Sequence, residues 1–243
     1  MRVFICILAF MLTSVARADV HAFIDQWVST DINALVDETT DLKVSADLCD
    51  LDQVKAAYHR TFDVWNRVQL LRFGPLGNGD LAFRFQYWPE RKGVIGRKLR
   101  ELASSSDSIV LDPDAFSEVS VAARGLMSLD YLLFDPGISN RIEADQRCRL
   151  LKAIATDLVN SSEELHRLWQ SDTYANYRSR SPESILSEDE LLTVLYQALD
   201  TSLQYDIDLR LGAPLGSYTR AFPRKAEAWR SERSLRNLKN SLR

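Results

Sequence analysis

The chain has 243 residues, of which 46% are hydrophobic and 26% are charged, and its formal net charge is −4. This length suits one large domain or two small ones with a well-buried core. The acidic balance argues against nucleic acid as a partner. The basic residues near the C-terminus recur at helical spacing among Glu and Ser, which predicts a solvated helix face; they are Arg230, Arg233, Arg236, Lys239 and Arg243.

The first 18 residues have the features of a secretory signal peptide. Arg2 precedes an apolar run over residues 3–12, and Ala16-Arg17-Ala18 is a small-x-small cleavage site. We expect cleavage after Ala18, a helical domain over residues 19–243 and, in a bacterium, a periplasmic location. No later stretch reaches about 18 apolar residues, so we predict no membrane-spanning segment in the mature chain.

Two cysteines, Cys49 and Cys148, follow the predicted signal peptide. In an exported protein, two cysteines without a Cys-x-x-Cys or haem motif predict one disulfide. It would close a loop of about 100 residues, for which the chain-entropy model gives a stabilisation of roughly 4–5 kcal/mol.

Helical periodicity dominates the rest of the chain. Apolar residues at helical spacing predict helices over residues 20–38, 51–71, 94–103, 114–134, 140–170, 188–211 and 224–242. Asp50 with Gln53 and Ser187 with Glu190 have the spacing of capping boxes. The composition of residues 72–80 predicts a loop rich in glycine. Residues 81–88 form a short apolar and aromatic segment of the sequence. Without a run of alternating strand pattern, this order predicts an all-α fold of two packed antiparallel helical bundles.

One carboxylate stands on an apolar face of the predicted helix 114–134. Arg124, Ser128 and Tyr131 share a polar stripe, whereas Asp130 projects roughly 140° from the centre of that stripe. A buried carboxylate needs a cation or several hydrogen-bond donors if it is to stay ionised. What satisfies Asp130 is therefore the functional question that the sequence poses.

Two answers remain open. In a structural interpretation, an arginine of the segment before this helix neutralises Asp130, because a guanidinium binds a carboxylate in a bidentate manner; the candidates are Arg72, Arg84, Arg91, Arg97 and Arg100. In a functional interpretation, Asp130 and Glu90 line a metal or ligand cleft between the bundles. The single Glu-x-x-His, Glu163 with His166, lacks the second copy of a di-iron site and is interpreted as structural.

Four segments of the chain resemble, in the right order, the motifs of the imelysin-like family. They are Trp65-x-x-Val68-Gln69-x-x-Arg72-Phe73-Gly74-Pro75-Leu76, Phe85-Gln86-Tyr87-Trp88-Pro89-Glu90, the run Gly125-Leu126-Met127-Ser128-Leu129-Asp130-Tyr131-Leu132-Leu133-Phe134, and Glu227-x-Trp229-x-Ser231-x-x-Ser234-Leu235 after Pro214-Leu215-Gly216. The third resembles the family's Gly-x-His-x-x-Glu motif. The resemblance implies two helical bundles with this motif near a cleft between them.

The resemblance also implies a bacterial envelope protein that is linked to iron uptake. Its partners would be other envelope iron-uptake proteins, and its cofactor would be iron or another divalent metal. Together with the argument on Asp130, this predicts a site with Asp130 as a metal ligand and five ligand-binding residues, Arg72, Trp88, Glu90, Arg97 and Met127.

The chain departs from the family motif at two positions. Met127 stands in the position of the histidine and Asp130 in that of the glutamate. A thioether is a poor ligand for zinc or ferric iron, and a hydrolytic metal needs about three protein ligands. Three functions therefore stay open: a non-enzymatic protein that binds a metal or small ligand for iron uptake, a metallopeptidase, and a structural or interaction module with a decayed site.

Overall fold

A computed structural model describes residues 19–70, 72–77, 79–105, 107–180, 186–217 and 220–242. The predicted signal peptide lies outside these residues. All regular structure within them is helical, which confirms the predicted all-α fold. Among these residues, no helix combines the length and the apolar character that a membrane span requires.

Fourteen α-helices are found in the described residues. They are α1 (Val20–Trp27), α2 (Asn33–Asp47), α3 (Leu51–Val68), α4 (Leu81–Phe85), α5 (Val94–Ala103), α6 (Asp107–Leu111), α7 (Pro113–Ser117), α8 (Gly125–Phe134), α9 (Pro136–Ser139), α10 (Ala144–Gln170), α11 (Asp172–Arg178), α12 (Glu188–Tyr205), α13 (Ala213–Leu215) and α14 (Ser234–Ser241). A π-helical turn, Val28–Ile32, joins α1 to α2, and a second, Asp206–Gly212, joins α12 to α13.

The helix starts follow the capping pattern of the sequence. The Asp50 side chain accepts hydrogen bonds from the backbone N–H groups of Asp52 and Gln53, and the Gln53 side chain donates to it in return at 2.7 Å. Ser187 and Glu190 form a complete capping box at the start of α12. Both predicted caps are therefore confirmed, and they satisfy backbone N–H groups that have no partner inside a helix.

The main bundle is built around α10. This helix packs along α2 and against α8, and α2 packs against α3. Fully buried leucines, including Leu35, Leu42, Leu158 and Leu165, fill the space between α2 and α10. The predicted disulfide is present: Cys49, in the turn between α2 and α3, is bonded to Cys148 of α10, with a Cα–Cα distance of 5.7 Å. It fastens the α2–α3 hairpin to the central helix.

The predicted helix 114–134 is broken into separate pieces. Helix α7 ends at Ser117, a short 3₁₀ turn follows, and α8 begins only at Gly125. Gly125 has φ +72°, and a Cβ there would lie 2.5 Å from the carbonyl oxygen of Phe85 and closer still to that of Arg84. The start of α8 is therefore pressed against the backbone of α4, an approach that only glycine allows. Periodicity did not reveal this break.

The C-terminal segment is also less helical than predicted. Instead of one helix over residues 224–242, the chain forms a 3₁₀ turn, Pro223–Lys225, an irregular stretch and the short helix α14. Ala228 and Glu232 have positive φ angles, 44° and 57°, which interrupt any helix. What holds this segment in place is a network of buried polar contacts.

The centre of that network is the carboxylate of Glu227, which is 1% exposed. Arg210 donates to both of its oxygens, at 3.0 and 3.1 Å. Gln86 donates to one oxygen at 2.5 Å and Asn237 to the other at 2.8 Å. The C-terminal segment is thereby joined to the π-helical turn after α12 and to the segment after α4.

The network continues into α3 and α14. The remaining Arg210 nitrogen donates to Asp206 at 2.6 Å, and Asp206 also accepts from Ser241 at 2.7 Å. Asn66 of α3 accepts from Arg210 at 3.0 Å and donates to Asn237 at 3.0 Å. Because each charge is paired and hydrogen-bonded, this polar core does not carry the cost of an isolated buried ion.

Loss of the disulfide should destabilise the protein without changing its fold. The Cys49→Ser/Cys148→Ser variant is expected to lose roughly 4–5 kcal/mol of unfolding free energy, because the denatured chain regains the freedom of a loop of about 100 residues. Urea denaturation with and without reductant measures this loss. A reductant should lower the wild-type value towards that of the variant and leave the variant unchanged.

Glu227→Leu should be far more damaging than a surface substitution. It leaves the Arg210 guanidinium buried without its main counter-ion, which costs about 3–5 kcal/mol in comparable buried pairs. The matched control is Glu163→Leu, at an exposed position of α10, where we expect a change within about 0.5 kcal/mol. Equal unfolding free energies for the two variants would show that the network does not stabilise the fold.

Candidate functional site

Asp130 is fully buried, as the sequence predicted, with 0% exposure. Its Oδ1 accepts hydrogen bonds from the Tyr58 hydroxyl at 3.1 Å and from the Ser231 backbone N–H at 3.2 Å. Its Oδ2 is buried and has no hydrogen-bond partner. Burial raises the pKa of Asp130 above the ordinary value, which the donors from Ser231 and Tyr58 only partly offset. This environment favours the neutral carboxylic acid.

The structural interpretation predicted the wrong partner for Asp130. Among the described residues, no arginine of the segment 72–100 donates a hydrogen bond to Asp130. The nearest relevant cation is Arg230, whose Nε donates to Asp135 at 2.6 Å and whose guanidinium lies 3.4 Å from the centre of the Tyr131 ring. Because burial raises the pKa of Asp130, its carboxyl group depends less on a counter-ion.

The surroundings of Asp130 do not fit a metal ion. Both groups that contact its Oδ1 are hydrogen-bond donors, so they compete with a cation for that oxygen. Within the described part of the chain, no group of three or more His, Cys, Asp and Glu residues is placed to hold a metal. The predicted metal ligand therefore lacks companions, and Asp130 instead fixes the C-terminal segment to α3 and α8.

A cleft of about 350 Å³ lies next to this buried site. It opens between the segment after α4, helix α8, the π-helical turn after α12 and the C-terminal segment. Its apolar lining includes Trp88, Met127, Leu209 and Trp229. Met127 lies almost one helical turn before Asp130, so the residue in the histidine position of the motif faces the cleft while Asp130 lies behind the cleft wall.

Glu90 also lines the cleft, and both of its carboxylate oxygens are occupied. One accepts from the backbone N–H of Ile95 at 2.8 Å, and the other accepts from the Tyr131 hydroxyl at 2.5 Å. Burial, followed by this hydrogen bond, raises the pKa of Tyr131. Glu90 thus joins the start of α5 to α8, and each of its oxygens already accepts one hydrogen bond from the protein.

The charged lining of the cleft is mainly basic. Four of the described lining residues are cations: Arg91, Arg224, Lys225 and Arg230. Arg230 is paired with Asp135, whereas no described carboxylate lies within 4.0 Å of the charged nitrogens of the other three. The Trp229 ring lies 5.6 Å from the Arg224 guanidinium and 4.5 Å from that of Arg230. The cleft therefore combines aromatic surface with unneutralised positive charge, and we call it the basic cleft.

The structure brings three of the predicted ligand-binding residues together and separates the other two. Trp88, Glu90 and Met127 line the basic cleft. Arg72 lies in a different, small cavity of about 40 Å³, where it donates to Gln69 at 3.3 Å. Arg97 is exposed on α5, 3.9 Å from a carboxylate oxygen of Glu101.

The sequence reasoning missed the C-terminal half of the cleft. Arg230 belongs to the basic residues that helical spacing assigned to a solvated face, whereas Arg224, Lys225 and Trp229 lie in the predicted helix 224–242 without an assigned role. That assignment was wrong for Arg233 as well, which is 1% exposed. The signal that could have revealed the cleft is the density of basic and aromatic residues over residues 220–230, directly after a glycine-rich turn.

The raised pKa of Asp130 gives a pH-dependent stability. The folded-state pKa of Asp130 lies above the ordinary value of 3.8. The contribution of this group to the stability of the fold is therefore fully present below pH 3.8, and it is lost as the pH rises through the folded-state pKa. Asp130→Asn keeps an acceptor for Tyr58 and Ser231 without the ionisation. The variant should therefore become more stable relative to wild type as the pH rises from about 4 to about 8.

Thermal unfolding of both proteins across that range measures the difference. A stability difference between Asp130→Asn and wild type that stays constant with pH would contradict the burial argument.

Comparisons with known proteins agree with this architecture. A family model described as Imelysin matches residues 20–243. Among solved structures, the fold is similar to that of an imelysin-like protein from Psychrobacter arcticum 273-4, with a TM-score of 0.67 and 15% sequence identity. That alignment covers 93% of this chain and 73% of the other. Comparison with curated proteins gives no match. Because the family match extends over nearly the whole chain, the protein belongs to the imelysin family.

Proposed function

We propose that this protein is a non-enzymatic binding protein that holds a small anionic ligand in the basic cleft. The observation that carries the proposal is the charge of the lining: four basic side chains face one acidic residue, in a chain whose net charge is −4. That one carboxylate, Glu90, already accepts two hydrogen bonds. Positive charge gathered in a concave site raises the local concentration of anions.

The shape and chemistry of the cleft suit a small organic anion. Its volume of about 350 Å³ lies at the lower end of the roughly 300–1,000 Å³ that is common for ligand pockets. The guanidinium groups of Arg91 and Arg224 have the planar fork that binds a carboxylate or phosphate through two hydrogen bonds. Trp88 and Trp229 provide apolar surface for the rest of the ligand.

The same lining disfavours a bare metal cation. A metal would enter such a cleft as a complex whose own ligands carry net negative charge, because hard cations such as ferric iron are held by carboxylate-type oxygens. The family resemblance implies a link to iron uptake. We therefore propose that the anionic ligand is a chelate of iron with small carboxylates.

We also propose that the protein acts outside the cytoplasm. Two features support this location. Residues 1–18 have the pattern of a cleavable signal peptide, and Cys49 is paired with Cys148, which is typical of oxidising compartments. A metallopeptidase role gains no support from the described residues, because Met127 and Asp130 are not joined by the further ligands that a hydrolytic metal needs.

Binding of anions to the basic cleft can be measured by calorimetry on the chelator-treated protein. The probes are citrate, ferric citrate and zinc chloride. We expect citrate or its ferric complex to bind and zinc to give no signal at the cleft. Arg224→Ala/Lys225→Ala should raise the dissociation constant at least about 10-fold, since a hydrogen bond to a charged group contributes roughly 1.5–3 kcal/mol. Higher ionic strength should weaken binding further.

The control removes the same charge elsewhere. Arg97→Ala/Lys98→Ala lies on the outer face of α5, away from the cleft, and should leave the dissociation constant unchanged. Three outcomes would oppose the proposal: absence of binding by either citrate probe, equal weakening by both double variants, or zinc binding that Asp130→Asn abolishes. The last of these would restore the metal site predicted from the sequence.

A further inference from the structure

Helix α12 carries an apolar stripe that nothing covers within the described part of the chain. Its members are Leu192, Tyr196, Leu199, Leu203, Ile207 and Leu211, with exposed fractions between 37% and 71%. The core-facing side of the same helix is a different one, marked by buried Leu191 and Ala198. The helix therefore presents two apolar faces, of which the fold uses one.

The stripe is straight and long. Its spacings of four and three residues keep Leu192, Tyr196, Leu199 and Leu203 on one side of an α-helix. The π-helical turn Asp206–Gly212 then follows, and its wider turn keeps Ile207 and Leu211 in line with them. A groove of about 430 Å³ separates the first half of the stripe from Phe23 and Trp27 of α1.

The charged residues on the stripe's own helix have one sign, while across the groove Arg67 is paired with Asp31. Residues 188–209 contain no Lys or Arg, and their exposed charged residues are acidic; these include Asp189, Asp200 and Asp208. A partner for this surface must therefore supply apolar side chains together with positive charge.

This chain carries such a surface on the neighbouring helix α14. Leu235 and Leu242 are each 62% exposed, and they lie seven residues apart on one side of the helix. Lys239 is exposed between them, and so is Arg236, whose guanidinium is paired with Asp63. Asn240 of α14 lines both the groove beside α12 and a second depression that includes Leu235 and Lys239. The acidic and the basic apolar surfaces therefore border the same side of the molecule.

We propose that a second copy of this chain covers this side, with α12 of each protomer packed against α14 of its partner around a two-fold axis. Such an axis pairs an acidic surface with a basic one twice in the same interface, because each residue contact occurs in both directions. Nine large apolar residues on this side, those of the stripe with Phe23, Leu235 and Leu242, are between 37% and 71% exposed. A partner that buried them would remove apolar area on the order of the roughly 800 Å² per partner of a standard stable interface.

Sedimentation velocity over a range of micromolar concentrations tests the dimer on the protein without its predicted signal peptide. Wild type should sediment as a dimer. Tyr196→Glu/Leu203→Glu should raise the dimer dissociation constant at least about 100-fold, because each substitution places a charge in the apolar centre of the interface. Both positions are exposed in the protomer, so the variant should keep the helical circular dichroism spectrum and the unfolding midpoint of an intact fold.

The control places the same charges on apolar residues outside the surface. Leu48→Glu/Leu111→Glu, at positions that are 66% and 64% exposed, should remain dimeric. A wild-type protein that stays monomeric at every concentration would overturn the proposal, and so would a dimer that Tyr196→Glu/Leu203→Glu leaves intact.

A charge exchange distinguishes the α12–α14 pairing from other arrangements of two copies. Asp200→Lys/Asp208→Lys should weaken the dimer, and so should Lys239→Glu, because each brings like charges together. Combining the three substitutions should recover most of the lost affinity. If the combined variant loses as much dimer affinity as the separate variants lose together, α12 does not face α14 of the partner.

Discussion

The structure depends on a buried carboxylate that is fully paired. Glu227 accepts hydrogen bonds from Arg210, Gln86 and Asn237, so one side chain joins the C-terminal part of the chain to Gln86, which lies 141 positions away. Gln86 and Glu227 belong to two of the segments that resemble family motifs. Their contacts show that many of the residues that resemble the family motifs hold the C-terminal segment in place. Only some of these residues line the basic cleft.

The basic cleft is a product of the same attachment. Glu227 fixes the chain on one side of Trp229 and Arg230, and the hydrogen bond from the Ser231 N–H to Asp130 fixes it on the other. The two cleft residues are therefore held between two anchored positions, so the proposed ligand would restrict them little on binding. Asp130 therefore stabilises the cleft indirectly, because it holds the C-terminal segment from behind the cleft wall. The side chain that lines the cleft itself is that of Met127.

The helices and their caps could be predicted because they follow from local pattern. Apolar spacing gave α5 at its observed limits, and the short polar side chains of Asp50 and Ser187 marked the starts of α3 and α12. The break before Gly125 and the irregular C-terminal segment could not be predicted, since they are fixed by contacts between distant residues, such as Asn66 with Asn237, 171 positions apart. The same is true of the basic cleft, whose two halves meet only in the folded chain.

The position of the C-terminal segment also bears on how the protein reaches its native state. Tyr58 and Asn66 of α3 each have one polar partner within residues 231–237, Ser231 and Asn237, so the core around α3 is incomplete until nearly the whole chain has been made. A chain that emerges from the ribosome would lack this core and remain loosely structured. Such delayed folding would be compatible with the export that we propose, and in that case the Cys49–Cys148 bond would form after the chain has crossed the membrane.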